Sequence, residues 1–522
     1  MSADVKDRAD TRKARPTWRP SRRAQWAVVA AMMVFVAVVR AAAPEERDPY
    51  WSARAGIDTM NGLPLSRPEV WSWSAPGGIW FQNSPAWNVL LGLSWQGAGF
   101  WGLFLVAFIS ISALLAIAWV LARRLGARPM PGLAGVMLGL FAAWPMLSAR
   151  ATVVVQTLLL AAVWFGWWAG PRLARKPTWL AALIVAAVGL AGSIAGNWVH
   201  LSFTVMAGAV AFMWAIQWLS VQGASWQWKA TLTVAGTAGL FAGVLTTPYG
   251  LAETLRQSRS TQEACAGLIG EWAAVWEVHP IWVIRALIAL AVGIAGAWWL
   301  WRLWQEKRAG SDSFRITAPL VALGLPTALA GVPMLRFVGV SLLVLLPLFA
   351  VGATRVADRV QRRTAAATTG WMAGARAAEY TGSALWVRTM ALAAVPLAVF
   401  AGFTARAGAR PPEQDLIDVL PANCQLYTPD PAASGSVILT RPDVKVWMDG
   451  RADYYGRDLL IRNYRIIAGY EPIPAGTSCV LMRERSYDFP LAAERLGADP
   501  AWQPFGARNG FILWVPAGTV DR

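Results

Sequence analysis

The sequence predicts an α-helical polytopic membrane protein of about 11 transmembrane helices, followed by a small C-terminal extracytoplasmic α/β domain. Three observations lead there. The 522 residues are 56% hydrophobic and only 15% charged, where soluble domains carry about 25% charge. Mean hydropathy is +0.41. Basic residues fall in short clusters between apolar stretches, the distribution that membrane topology imposes. The formal charge of +17 therefore reads as topology and not as a nucleic-acid surface.

Residues 1–23 form a basic tail (Lys6, Arg8, Arg12, Lys13, Arg15, Arg19, Arg22 and Arg23) that leads into an apolar span. Ala41-Ala42-Ala43 runs directly into Pro44, so no signal-peptide cleavage site stands out and the first helix is read as retained. A spanning helix needs roughly 20 mainly apolar residues. The candidate spans are 24–43, 100–122, 130–148, 152–170, 178–196, 201–220, 230–247, 281–301, 317–334, 336–352 and 386–404. Together they define a helical bundle over 24–404 with a large first outer loop, 44–99. Within that loop "PAWNVLLGLSW" reads as a short interfacial helix, not a span.

Placing the tail in the cytoplasm makes every second connection cytoplasmic. Those connections hold Arg123, Arg124 and Arg128; Arg172, Arg175 and Lys176; Lys229; Arg302, Lys307, Arg308 and Arg315; and Arg355, Arg359, Arg362 and Arg363. One missed helix would scramble this alternation, so its regularity supports the threading. Residues 405–522 then lie outside the membrane. They are more polar, with Pro-Pro, Asp-Gly and Asn-Gly turns and strand-like runs "SVILT", "VKVWM" and "CVLM". Cys424 and Cys479 fall in this exported segment, where an oxidising compartment permits a disulfide; two buried thiols are the alternative.

Polar residues gather at the outer helix ends. Asp48 follows the first helix, Arg150 the third, Asn197 and His200 the fifth; Glu253, Glu263, Glu271, Glu277 and His279 occupy the loop 248–280, and Arg336 follows the ninth helix. Each alone reads as an interface-anchoring charge. As a set, carboxylates and arginines at one depth suit a groove that binds phosphate at the bilayer surface. Two histidines without Cys/His spacing do not make a zinc site. No Gly-x-Ser-x-Gly elbow, P-loop or dinucleotide fingerprint is present. The chemistry this face can supply is a carboxylate general base, Asp48 or Glu46, with arginines holding a leaving phosphate. Spans almost free of charge argue against an ion-coupled transporter. Trp51, Trp71, Trp73, Trp80, Trp87 and Trp95 crowd the first loop; an interfacial belt explains most of them, and stacking on sugar rings is the other reading.

Five stretches, in order, carry a family likeness: "DPYWSARAGIDTMNGLPLS" (48–66), "ARATVVVQTLLL" (149–160), "GNWVHLSF" (196–203), "TTPYG" (246–250) with "GEW" (270–272), and "VWMDGRADYYG" (446–456). The chain resembles the GT-C superfamily of polytopic glycosyltransferases, and within it a bacterial group with a C-terminal exported domain. The likeness implies glycosyl transfer on the outer face from a polyprenyl-phosphate sugar, a lipid-linked donor held among membrane lipid, to a cell-envelope glycan or protein. By the same likeness Asp48 matches the acidic base or metal ligand, with Mg or Mn as the divalent ion implied. Glu271 is a second acidic candidate. Arg150 and Arg336 are candidate phosphate contacts, and Asn197, His200, Tyr249 and Trp51 further pocket candidates. Ala53 and Arg54 stand where the group often carries a histidine, and Glu69 is the nearest acidic residue to its second acidic position. For Asp449, Arg451 and Asp453 the sequence favours holding the exported domain onto the bundle, since Asp-Gly starts a tight turn and the arginine can pair with either aspartate. The leading expectation is a membrane glycosyltransferase. The alternative is a non-catalytic envelope-assembly or lipid-handling protein on the same scaffold, and a transporter ranks third.

Overall fold

A computed structural model describes residues 21–42, 48–367, 410–484 and 490–518. The expected span 386–404, the alternative base Glu46 and the basic tail up to residue 20 lie outside the described residues. Among the described residues seven helices are long and apolar enough to cross a membrane: α1 (Arg22–Ala41), α3 (Pro85–Arg124), α4 (Pro129–Ala143, extended by a 3-10 turn to Met146), α5 (Ala151–Leu173), α6 (Thr178–Val199), α10 (Ile281–Gln305) and α11 (Asp312–Ala330). An eighth is the pair α12 (Arg336–Val344) and α13 (Leu346–Ala367), bent by 54°. The remaining expected spans fall on α7 (Phe203–Leu219), which is short, and α8 (Trp226–Val244), which carries Lys229, Thr231, Thr233 and Thr237. The chain is thus a multi-pass helical membrane protein with a small C-terminal α/β domain.

Small residues set the closest helix approach. A Cβ at Gly239 of α8 would stand 2.2 Å from the Ala186 carbonyl of α6, and one at Gly243 would stand 2.8 Å from that of Leu190. In a bilayer, where apolar burial between helices gains little, such backbone proximity supplies the packing energy. Arg315, expected on the basic rim, instead turns into the bundle and is 3% exposed. Pro171 inside α5 has no N–H to offer the Trp167 carbonyl. Arg315 Nη2 donates to that carbonyl and, at 3.3 Å, to Gly166 O. Gln217 Nε2 donates to Val163 O (2.8 Å) and to Arg315 O (2.9 Å), tying α5, α7 and α11 together.

The first outer loop is more structured than a loop. It contains α2 (Asp48–Met60), a short antiparallel ladder of β1 (Ser66–Pro68) with β2 (Ile79–Phe81), and the interfacial-helix segment 85–98. Gly99, at φ 57°, breaks that segment from the span that follows. The loop 248–280 likewise holds α9 (Leu251–Cys265).

The C-terminal domain is a five-stranded sheet in the order β4-β3-β5-β7-β6, with β3 at Gln425–Tyr427, β4 at Lys445–Val446, β5 at Cys479–Arg483, β6 at Trp502–Arg508 and β7 at Phe511–Pro516. β4, β3 and β5 run parallel, and β7 and β6 close the sheet antiparallel. "SVILT" is not a strand. It lies in helix α15 (Pro431–Thr440), after α14 (Gln414–Asp418). Asp430 caps α15 by accepting from Ala432 N at 2.9 Å, and Pro431 sits at its first position, so the start signal overrides the β-branched run. Helix α16 (Ala452–Ile467) leads from β4 towards β5. Cys424 and Cys479 are disulfide-bonded, their Cα atoms 6.2 Å apart, enclosing a separation of 55 residues; the chain-entropy argument gives such a crosslink about 4 kcal/mol.

The sheet is completed by the first loop. Val446 N donates to Trp71 O and Trp73 N donates to Val446 O, both at 3.0 Å. The C-terminal domain and the loop after α2 therefore share one hydrogen-bonded edge, which is what brings the motif 446–456 over Asp48.

Candidate functional site

Four segments distant in sequence meet at the outer end of the bundle. Asp48 opens α2, Arg150 is the N-cap of α5, Glu271 lies in the 3-10 turn Gly270–Trp272, and Arg336 is the first residue of α12. Arg150 Nη2 stands 3.0 Å from Asp48 Oδ2, and its Nη1 pairs with Glu271 Oε1. The three side chains are 30%, 30% and 35% exposed for Arg150, Asp48 and Glu271, so the chain of ion pairs is open to a ligand. Burial alone would raise the Glu271 carboxyl, but the charges of Arg150 and Arg336 outweigh it and hold it below the usual range. Arg336 stacks its guanidinium 4.3 Å over the Trp272 ring. Among the described residues no carboxylate lies within ion-pair distance of it.

His200, at the C-terminus of α6, accepts from Ser202 N through Nδ1 at 3.0 Å, which leaves its proton on Nε2. Burial, then the positive charges of Arg336 and Arg150, push its pKa down to about 3. It is a neutral hydrogen-bond donor beside the arginines, not a base near neutral pH.

Trp51, one turn along α2, donates from Nε1 to Asp48 Oδ1 at 3.2 Å and meets Trp80 edge-on at 6.0 Å. Asn197 and Tyr249 are placed differently. Asn197 is fully buried, accepting from Thr204 Oγ1 at 3.0 Å and donating to Gly243 O at 3.3 Å, so it joins α6, α7 and α8. The Tyr249 hydroxyl donates to Gln82 O at 2.9 Å and packs against Phe81, fixing the first loop.

The exported motif closes over this group. A Cβ on Gly450 would stand 2.8 Å from Asp48 Oδ1 and 3.5 Å from Trp51 Nε1, so a side chain there would push the carboxylate from its place. Behind it Arg451 is 1% exposed. Its Nε donates to both Asp449 oxygens (2.9 and 3.0 Å), Nη2 donates to Asp449 Oδ2 (2.6 Å), and Nη1 pairs with Glu69. Trp71 and Trp80 lie 4.4 and 4.7 Å from its guanidinium, and Tyr455 donates to Asp449 Oδ2 at 2.8 Å. Glu69 also accepts from the backbone N–H of Trp71 and Ser72. Arg67 covers the same two rings and pairs with Asp58 at 2.9 Å. This is a stack of alternating arginines and tryptophans sealed by carboxylates, and it binds the first loop to the exported domain. The sequence left Gly450 unassigned, though the Asp-Gly-Arg turn was its signal, and offered Glu69 only as the nearest acidic residue to a family position; nothing local paired Glu69 with Arg451.

Asp453, half-buried at the start of α16, is pushed up to about 6 by burial first, with the charges of Asp449 and Asp48 adding and Arg451 opposing. A carboxyl raised from 3.8 contributes no penalty below the unfolded value, and destabilises progressively as pH rises through 6. Asp453→Asn is therefore expected to raise Tm above pH 6.5 while matching the parent near pH 4. A pH-independent gap in detergent unfolding scans would contradict this.

A resident Mg or Mn ion fits this site poorly. Among the described residues no group of three or more His, Cys, Asp or Glu side chains could hold a metal ion, and Arg150 already occupies the space between Asp48 and Glu271.

No protein-family model and no curated protein matches the chain. Among solved structures it is similar to ArnT from Cupriavidus metallidurans bound to undecaprenyl phosphate, at 14% identity and TM-score 0.49, covering 95% of this chain and 98% of that one. The apo form of the same protein gives 13% identity, TM-score 0.48 and the same coverage. The Archaeoglobus fulgidus oligosaccharyltransferase tethered to an acceptor peptide gives 13% identity and TM-score 0.44, over 88% of this chain and 69% of that one.

Proposed function

We propose that the protein is a membrane glycosyltransferase that moves a sugar from a polyprenyl-phosphate donor to a hydroxyl of a cell-envelope acceptor on the outer face. The observation that carries this reading is the convergence of Asp48, Arg150, Glu271 and Arg336 from four separate helix ends, with the motif likeness of the sequence beside it. Asp48 takes the acceptor's hydroxyl proton as the new bond to the anomeric carbon forms. The bond from that carbon to the phosphate oxygen breaks, and the phosphate leaves with its electron pair. Arg336 supplies charge that no carboxylate pairs at ion-pair distance, and Arg150 supplies the rest as its Nη2 turns from Asp48 to the phosphate while Nη1 stays with Glu271. Glu271 holds Arg150 in place, and neutral His200 offers an Nε2 proton to the same phosphate. Water is kept from Asp48 on one side by Trp51 and Gly450.

One observation favours the second reading, a non-catalytic lipid-handling or envelope-assembly protein. Both Asp48 oxygens are already engaged, one by Trp51 and one by Arg150. The two readings separate in one assay. Membranes incubated with labelled polyprenyl-phosphate sugars should transfer label, and Asp48→Ala should abolish it. Transfer that survives Asp48→Ala unchanged removes Asp48 as the base. A silent Asp48→Ala in cells beside a disabling Arg451 substitution selects the second reading.

A further inference from the structure

The basic rim opposite the site contains a cluster that neither the fold nor the proposed chemistry uses. At the end of α10, Arg302 lies 5.3 Å over the Trp298 ring. Arg355 of α13 crosses to α10 and stacks 3.3 Å over Trp299. Arg308, just beyond α10, is close enough to act electrostatically on Arg355. Arg308 and Arg355 thus share one corner, and Arg302 lies on the last turn of the same helix end. Two nearby carboxylates leave them under-compensated. Glu306 reaches only Arg308, at 3.5 Å with both side chains about half exposed, and Asp358 is taken by Arg128 at 2.5 Å. Among the described residues Arg355 and Arg302 have no carboxylate partner.

Like charges held together on aromatic faces call for an anion. The neighbouring surface says which kind. Trp298 and Trp304 are 51% and 63% exposed on the same end of α10, and tryptophans at a span's end sit at headgroup depth. We infer that Arg302, Arg308 and Arg355 form a binding site for the phosphate of an anionic phospholipid headgroup, with Trp298, one turn deeper than Arg302, beside its glycerol and acyl region. Charge complementarity selects the phosphate, and the tryptophans select a lipid over a soluble anion. Arginine suits the role because its planar fork pairs phosphate oxygens two at a time while its face stays on the indole.

The full-length protein in neutral detergent, titrated with phosphatidylglycerol or phosphatidylcholine and read by native mass spectrometry, tests this. Phosphatidylglycerol should bind and phosphatidylcholine should bind at least tenfold more weakly. Each basic side chain near a lipid surface is worth about a fivefold change. Arg308→Gln, on an exposed side chain past the helix end, should therefore weaken phosphatidylglycerol about fivefold, and Arg308→Gln with Arg355→Gln about 25-fold, with unchanged thermal unfolding in lipid-free detergent. If the double variant misfolds, Arg308→Gln and Arg302→Gln, both exposed, carry the test. Variants that bind phosphatidylglycerol like the parent overturn the site. Displacement of the lipid by millimolar inorganic phosphate overturns the choice of a lipid and assigns a soluble phosphate instead.

Discussion

Replacing Arg451 with methionine is expected to destabilise the exported domain and its seat on the first loop by about 3–5 kcal/mol, the cost of leaving buried carboxylates without their cation. Asp449 and Glu69 are each 5% exposed, and Arg451 touches both. Burial works against the Arg451 charge, yet Asp449 and Glu69 outweigh it and keep the guanidinium firmly protonated. The loss should appear as a drop in Tm and as early proteolytic cleavage between residues 410 and 480. Arg451→Met combined with Asp449→Asn and Glu69→Gln should recover part of the loss, because the neutral amides remove the uncompensated charges and their oxygens can still accept from Tyr455 and from the N–H of Trp71 and Ser72. A drop under about 1 kcal/mol in the single variant would mean that the cage is solvated and does not hold the domain.

Arg150→Ala is expected to lower kcat/KM for a polyprenyl-phosphate sugar by about 10²- to 10³-fold, the usual cost of deleting one charge-stabilising donor in an active site. The stability change should be small, since Arg150, Asp48 and Glu271 are all about one-third exposed. Arg150→Lys should restore less than a tenth of the lost rate, because one ammonium cannot bridge two carboxylates and a phosphate as the guanidinium fork can. Single-turnover rates separate the roles: a loss in donor KM alone marks a binding contact, and a loss in kcat marks charge stabilisation in the transition state. Unchanged turnover would reduce the ion-pair chain to an anchor between helix ends.

The buried cage and the ion-pair chain are neighbouring layers of one structure. Gly450 touches Asp48, and Arg451, the next residue, is locked to the first loop. Loosening the cage should therefore also disturb the site above it, whereas changing Arg150 should leave the cage intact.

What the sequence determined by itself was the membrane architecture and the depth of its polar groups. Helix length and apolar content are local quantities, so ten of the eleven expected spans coincide with helices of the bundle, and 386–404 lies outside the described residues. Position along a span fixes depth, which put Asp48, Arg150, Glu271 and Arg336 at one outer end. Local composition misled where a terminus signal dominated, as at "SVILT", which Asp430 and Pro431 start as a helix. Depth also says nothing of azimuth. Asn197 and Tyr249 share the level of the ion pairs yet spend their hydrogen bonds on helix packing and on the first loop. Arg315 shows the same limit at the basic rim, where only the proximity of Pro171 explains why the charge turns inward. Pairing is the part that only the tertiary structure decided. Glu69 and Arg451 are separated by 382 residues, and Arg150 and Glu271 by 121. Coulomb attraction acts on distance in space, which the chain acquires only when its helices pack and the first loop adds its edge to the exported sheet.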